Sequence, residues 1–324
     1  MRIATFNVES LDDGPDVAPP LGERIPVLAP QLERLDADLL CLQEVNGQKP
    51  AGVAKRRLAA LETLLAATAL RRYHLAVSQT RAGTGVMDRH NLVTLSRLPV
   101  AASEQLWHDL VPEPRHRYVT ADPPATGETA LAWDRPVLYT RVRVPGGRVL
   151  HLFNVHFRAP LACPVPGRKA DAASWNSIAG WAEGYYLSEI KRAGQAFELR
   201  CALDQVFAEE EGALVCVAGD FNAEEHHTPV EILRGEEDNT GNGRLAAGVM
   251  VPVEHSLPES RRFTVIHQGR RQMLDHILAS RSLLGRYRGS EIHNEALTDE
   301  VTGHGAVAAS PVSTHAPVVA VFDL

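Results

Sequence analysis

Residues 213–222 read Ala-Leu-Val-Cys-Val-Ala-Gly-Asp-Phe-Asn. An apolar run of strand length stops at Gly219, and Asp220 and Asn222 follow at once. Alternation along an extended chain sends those two side chains to one side. The pattern recurs. The run at 2–8 ends in Asn7, with Glu9 two residues on; the run at 38–45 carries Glu44; the run at 149–157 carries Asn154 and His156. Each i, i+2 pair again shares a side.

Working outward, further strands are predicted at 74–79, 91–97, 137–144, 273–280 and 318–324. They are rich in Val, Ile, Leu and Phe and bounded by Gly, Pro or Asp. Arg-Val-Pro-Gly-Gly-Arg at 143–148 reads as a hairpin turn. A helix is predicted over 54–68, with Leu58, Leu61 and Leu65 on one face, and another over 183–209, with Leu199, Leu203 and Val206. A third, near 22–36, is interrupted by Pro26 and Pro30. Many strands and few helices predict an α/β sandwich with helices outside two packed sheets. With no internal repeat or low-complexity linker, residues 1–324 are expected to form one domain. The long irregular stretches are 99–135 and 158–182, and loops of that length are often functional.

The 324 residues are 44% apolar and carry a net charge of −7, which argues against gripping nucleic acid by bulk charge. Phosphate binding must then be local, through a few Arg, Lys or a metal. Cys41, Cys163, Cys201 and Cys216 have no metal-binding spacing, and two of them lie in apolar runs. A reduced, cytoplasmic chain is expected, because neither a signal-peptide core nor a membrane-spanning stretch is visible.

Singly, a polar residue at a strand end is simply where strand meets loop. The set says more. Asp275 sits within the apolar run Met-Leu-Asp-His-Ile-Leu and needs a partner, which His315, just ahead of the last strand, can provide. Asn7 and Glu44 offer oxygen to a hard cation. Asp220 and Asn222 can orient a water and a substrate oxygen. These are the parts for metal-assisted attack of water on a phosphoester.

Six segments carry a resemblance: TFNVES (5–10), CLQEV (41–45), NVHF (154–157), GDFNAE (219–224), LDHIL (274–278) and STHAPVVAVF (313–322). In this order they resemble the endonuclease/exonuclease/phosphatase superfamily of DNase I-like enzymes. That group includes abasic-site endonucleases, sphingomyelinases and inositol polyphosphate phosphatases. The resemblance implies a four-layer α/β sandwich, two packed and mostly antiparallel sheets flanked by helices, with the site at one mouth. It implies Mg²⁺ (or Mn²⁺), with Glu44 as main ligand and Asn7 as a secondary one. It implies that Asp220 orients or deprotonates the attacking water. Asn222, His156 and His315 would contact the phosphate, and Asp275 would orient His315. The chain departs from the pattern at Thr314, where an Asp that helps bind the metal is expected. Either the metal keeps more water, or Glu9 supplies the missing charge, or the chain is a non-catalytic member.

Residues 158–186, directly after His156, are expected to form a substrate-side insertion. Arg158 is the candidate for an added phosphate contact and Trp175 for stacking, while Trp181 and Tyr185 either stack or pack. Asn154 and Asn91 are candidate pocket-lining residues. Gly-Arg-Arg-Gln at 269–272 reads as a solvated turn. Glu224, Glu225, His226 and His227 are adjacent, so they cannot all face one ion. The expected activity is hydrolysis of a phosphodiester, nuclease-type, with nucleic acid as a candidate partner. The alternatives are a small phosphorylated metabolite or lipid headgroup, and a binding member without turnover.

Overall fold

The structure, a computed structural model, describes residues 1–49, 52–300 and 310–324. Strands β1 (Arg2–Leu11), β2 (Leu39–Val45), β3 (His74–Val77) and β4 (Asn91–Ser96) open the chain, with helices α1 (Leu21–Arg34) and α2 (Ala59–Ala66) between them. Strand β5 (Val100–Leu106) and a ribbon of β6 (Arg115–His116) and β7 (Thr129–Ala130) follow, then β8 (Val137–Arg143) and β9 (Val149–His156). Helix α3 (Ile178–Glu209) leads to β10 (Leu214–Asp220), α4 (Thr228–Arg234), α5 (Glu237–Thr240) and β11 (Met250–Pro252). A second ribbon, β12 (Val265–His267) and β13 (Arg270–Gln272), precedes β14 (Asp275–Ser280), α6 (Arg281–Leu284), β15 (Tyr287–Ile292) and β16 (Val318–Phe322).

Two six-stranded sheets form, in the orders β15-β16-β1-β2-β4-β3 and β11-β14-β10-β9-β8-β5. Each has one parallel pair at its centre, β1 with β2 and β9 with β10, and is otherwise antiparallel. Side-chain alternation explains the layers. Ala4, Phe6, Leu40 and Leu42 pack under α1 and α2. Ile3, Leu39 and Cys41 meet Leu150, Leu152, Cys216 and Ile277 between the sheets. Phe153, Val155, Val215 and Val217 pack under α3 and α4. The expected four layers, with two packed and mostly antiparallel sheets, are therefore present.

The inter-sheet face turns polar toward one end. Beyond Ile3, Cys41, Leu152 and Ala218 on the same faces come Asn7, Gln43, Asn154, His156 and Asp220. The parallel pairs point their C-terminal ends to one mouth, and β14 begins there, with Asp275 directly opposite Asp220. Gly219 makes this close pairing feasible. A Cβ at that position would lie 2.0 Å from the carbonyl oxygen of Val155 on β9.

All nine predicted strands exist, and both hairpin glycines of 143–148 take positive φ. Two differences have physical reasons. Strand β5 lay in the stretch 99–135 read as irregular, and β15 was not predicted; both are edge strands with exposed or half-buried side chains, so they lack an apolar signal. Pro26 and Pro30 do not break α1, because Leu21, Leu28 and Leu32 bury one face against sheet one.

Helix α3 starts at Ile178 and has a polar half that the leucine stripe hid. Buried Glu198 accepts from the backbone N–H groups of His108, Asp109 and Leu110 and from the Trp133 indole. Buried Glu183 accepts from His116, from Thr120 Oγ1 and from the N–H groups of Val119 and Thr120. The long 107–135 segment is thus pinned by two carboxylates on one helix.

Burial pushes the Glu183 carboxyl up, but these donors outweigh it and hold it at about 2. Its contribution is therefore present above the ordinary carboxylate pKa and is lost as pH falls from about 4.5 toward 2. Glu183→Gln should lower the melting temperature at pH 7, and the gap from wild type should shrink in melts at pH 3. Gly219→Ala should cost at least about 1–3 kcal/mol in denaturant titrations, because the new Cβ meets backbone that cannot yield.

Candidate active site

Asn7, where the regular pairing of β1 with β2 stops, stands at the centre of the mouth. Its amide donates to Glu44 Oε1 (3.1 Å) and to Asp220 Oδ2 (2.9 Å), and its Oδ1 accepts from the N–H of Glu9 (2.9 Å). Glu44 also accepts from the Ser10 N–H (3.0 Å) and lies 3.5 Å from His90 Nε2 and 3.7 Å from His156 Nε2. It leaves the β2 alternation because its φ is +60° and the pairing with β4 shifts there. Asp220 accepts from the Asn222 N–H (2.8 Å) and faces His156 Nε2 at 3.4 Å. His315 Nδ1 pairs with Asp275 Oδ2 at 2.8 Å.

Two carboxylates face each other across β10 and β14, so the charges couple. Burial and the Asp275 charge push the Asp220 carboxyl up to about 7. Burial opposes the charge on His315, but Asp275 outweighs it, helped by Asp220 and Glu44, and the imidazolium persists to about 10. Burial also raises Glu44, yet His90, the Asn7 amide, His315 and Arg135 together hold it below the ordinary carboxylate range.

Arg135 decides the state of two imidazoles. It donates to His156 Nδ1 and lies 3.5 Å from His90 Nδ1. A guanidinium has no acceptor, so His156 Nδ1 must carry the lone pair and Nε2 the proton. Burial and Arg135 accordingly put His156 well below its usual pKa. Glu44, His90 and His156 bring ligand atoms within 4.8 Å of one another. Even so, Arg135 turns His156 into an N–H donor and disposes His90 the same way. What remains for a metal is oxygen: the Glu44 carboxylate and the Ser10 hydroxyl, with Thr314 and the Glu9 carboxylate nearby. The Thr314 N–H donates to Glu9 Oε2 (2.7 Å), and both residues line an adjoining cavity of about 310 Å³ with Ser10. That donor set fits Mg²⁺ or Mn²⁺ held mainly by one carboxylate and otherwise by water.

Backbone strain concentrates here. Among the described residues eight non-glycines have positive φ, and five of them are Glu9, Ser10, Glu44, His90 and Asn222. Such conformations cost about 1–3 kcal/mol each and persist only where surroundings impose them.

The structure thus brings together Asn7, Glu44, Glu9, His156, Asp220, Asn222, Asp275 and His315. Four candidates lie elsewhere. Asn154 is fully buried one pleat below His156, accepting from Gln43 (2.8 Å) and donating to Leu42 and Val93 carbonyls. Asn91 is also fully buried, with Met87 and Val45 as partners. Arg158 is closed on Asp134 (2.5 Å) and Ser188 (3.1 Å), because β9 ends at His156 and the alternation stops there. Trp175 packs on Gly184 of α3, with the Lys169 ammonium 5.3 Å from its ring centre. Trp181 and Tyr185 stack 5.5 Å apart and are 44% and 37% exposed.

The sequence reading missed Arg135, His90 and Ser10. Arg135 had one signal, an arginine separated by a single proline from a predicted strand. It also missed three holding contacts from α3: Arg192 to the Asn222 carbonyl, Gln195 to the Arg135 carbonyl (2.8 Å) and Lys191 to Asp134 (2.8 Å). Of the 224–227 cluster, Glu224, His226 and His227 do converge within 4.8 Å, while Glu225 turns to His255 and Arg234. The Glu224 N–H donates to His227 Nδ1 (3.1 Å), so a neutral His227 carries its proton on Nε2 and is a donor rather than a metal ligand.

The sequence profile of the Endonuclease/Exonuclease/phosphatase family matches residues 4–310, so the chain belongs to that family. No curated protein matches. Among solved structures, a mannosyl-6-phosphatase from Bacteroides thetaiotaomicron is similar in fold at 16% identity and a TM-score of 0.60, over 100% of both chains. A family protein from Leptotrichia buccalis is similar at 16% and 0.56, again over 100% of both. Truncated TDP2 from Caenorhabditis elegans is similar at 15% and 0.56, over 99% of this chain and 96% of that one.

Nitrogen-15 NMR of the metal-free protein at pH 8 should show His315 as imidazolium and His156 as the neutral Nε2–H form. Arg135→Met should mix the His156 tautomers; an unchanged His156 signal would break the link to Arg135.

Proposed function

We propose that this member of the Endonuclease/Exonuclease/phosphatase family hydrolyses a phosphoester by direct attack of water, with a divalent cation at Glu44. One observation carries the reading: Asp220, the His315–Asp275 pair, the His156 N–H and Asn222 converge on one opening.

Water attack moves a proton off the water and places negative charge on the phosphoryl oxygens and then on the leaving oxygen. Asp220 is the base, and a carboxyl near 7 is matched to that task. His315, charged and aimed by Asp275, donates to a phosphoryl oxygen. His156 Nε2–H is a further donor, preorganised by Arg135, and the Asn222 amide, which donates to the Phe157 carbonyl (3.0 Å) and to Asp220 Oδ2 (3.2 Å), can turn its second N–H from Asp220 to the phosphate. A cation bound at Glu44 supplies charge neutralisation at the phosphate and the leaving group.

A small phosphorylated molecule is favoured over a long nucleic acid. Arg158 and Lys191, two cations near the mouth, are both spent on Asp134, which leaves Arg89 of the adjoining cavity to meet a phosphate, and the chain carries a net charge of −7. The mannosyl-6-phosphatase similar in fold is compatible with that choice by its name. The nuclease-type reading stays as the second arm of the test.

Hydrolysis should be measured with Mg²⁺ or Mn²⁺ on an aryl phosphomonoester, an aryl phosphodiester, hexose phosphate, RNA and both forms of DNA. Asp220→Asn and His315→Ala should each lower kcat at least ~100-fold on the best substrate. Near-wild-type turnover in either folded variant would remove that residue's role. Glu9→Gln should raise the metal midpoint; an unmoved midpoint excludes Glu9 from the metal's surroundings.

A further inference from the structure

A chamber of about 470 Å³ opens beside the mouth and shares Asn222 with it. Its walls come from the first half of α3, the loop after β10 and the end of the β12–β13 ribbon. Whatever fills it lies beside Asn222, at the edge of the opening where the reading above sets the phosphate. The identity of that alcohol is legible in the chemistry of the walls.

The chamber is polar but electrically closed. Arg192 is buried and forks both η nitrogens inward: one donates to the Asn222 carbonyl, and the other pairs with both Glu189 oxygens at 2.6 and 2.7 Å. Its charge is therefore cancelled on the spot. A second phosphate would need uncancelled cations, and this wall offers none from Arg192. An acyl chain would need an apolar slot, but only Pro160 and Leu274 are apolar here.

Three lining groups are without a hydrogen-bond partner among the described residues: the Gln272 amide, the Tyr185 hydroxyl and the Thr228 hydroxyl. His227 adds an Nε2–H donor, since its Nδ1 already accepts from Glu224. Donors and acceptors are thus mixed at short range. A hydroxyl both donates and accepts, and matches such a wall better than an anion or a hydrocarbon. The Tyr185 ring, backed by Trp181 at 5.5 Å, adds a flat face for the C–H side of a ring.

We propose that this chamber is the subsite for the alcohol half of the phosphoester, and that this half is a neutral, hydroxyl-rich group, a sugar or polyol. The inference rests on the phosphoester reading above and specifies its substrate. Gln272 and Tyr185 are the specificity-determining residues. Both are at least partly exposed, Gln272 on a ribbon and Tyr185 on a helix surface, so truncating them leaves the core intact.

Calorimetry in Mg²⁺ with non-hydrolysable probes reads this subsite without turnover. The probes are the methylene-phosphonate analogue of a hexose 6-phosphate, methylphosphonate, and a hexose carrying phosphonates at both ends. The hexose monophosphonate should bind at least about tenfold tighter than methylphosphonate, and Gln272→Ala and Tyr185→Ala should each narrow that ratio about fivefold. Thermal melts confirm that the variants fold. Equal binding of the two monophosphonates, an unchanged ratio in both variants, or tighter binding of the bisphosphonate would overturn the proposal. The two readings fail separately. Selective hexose binding with no hydrolysis of any phosphoester sinks the hydrolase reading alone. Hydrolysis of aryl esters with no hexose preference in binding sinks the polyol subsite alone.

Discussion

The backbone register of β10 and β14 sets Asp220 directly opposite Asp275, and the rest of the mouth answers to that pair. The Asp275 charge opposes ionisation of buried Asp220, and a nearby cation relieves that cost. His315 supplies one, and its own charge depends on Asp275. Asn7 and Asn222 supply neutral donors to the Asp220 oxygens. The Asp275 charge acts on both Asp220 and His315, and those two act on each other, so their protonation is linked. The strand pairing that forces the two acids together is in turn admitted by the bare backbone of Gly219.

Helix α3 is the second organising element, and its logic differs from that of an ordinary amphipathic helix. Its later turns bury Leu199, Leu203 and Val206 on sheet two. Its earlier turns bury Glu183, Ser188, Arg192, Gln195 and Glu198, and each of these reaches out to another segment's backbone. Loops that lack a core of their own are held by these groups, and the desolvation of the two carboxylates is offset by four hydrogen bonds each. One helix therefore sets the position of the 107–135 segment, the Asn222 turn and the Arg135 backbone together.

Much of this was legible in the sequence because strand ends announce themselves. An apolar run stopping at Asp, Asn, Glu or His located β1, β2, β9 and β10, and an acid inside an apolar run located β14. Alternation gave the side of a strand but not the depth. Asn154 lies on the same face as His156, yet one step further in it is sealed under Gln43 and Val93. Alternation also misled at Arg158, where the strand had already ended. Arg135, His90 and Arg192 left little trace, since their roles depend on where loops and a helix face arrive in space. The edge strands β5 and β15 were silent because half-exposed strands need few apolar residues.

The five left-handed residues around the mouth have an implication for how this protein can change. Glycine would occupy each of those backbone positions with less conformational penalty than the residue present. Glu44 and Asn222 are nonetheless the side chains that reach the opening. Endurance toward heat and competence at the mouth thus pull on the same positions in opposite directions. Improved heat resistance in a descendant is best sought on the scaffold far from β1, β2 and the Asn222 turn, where no such conflict exists.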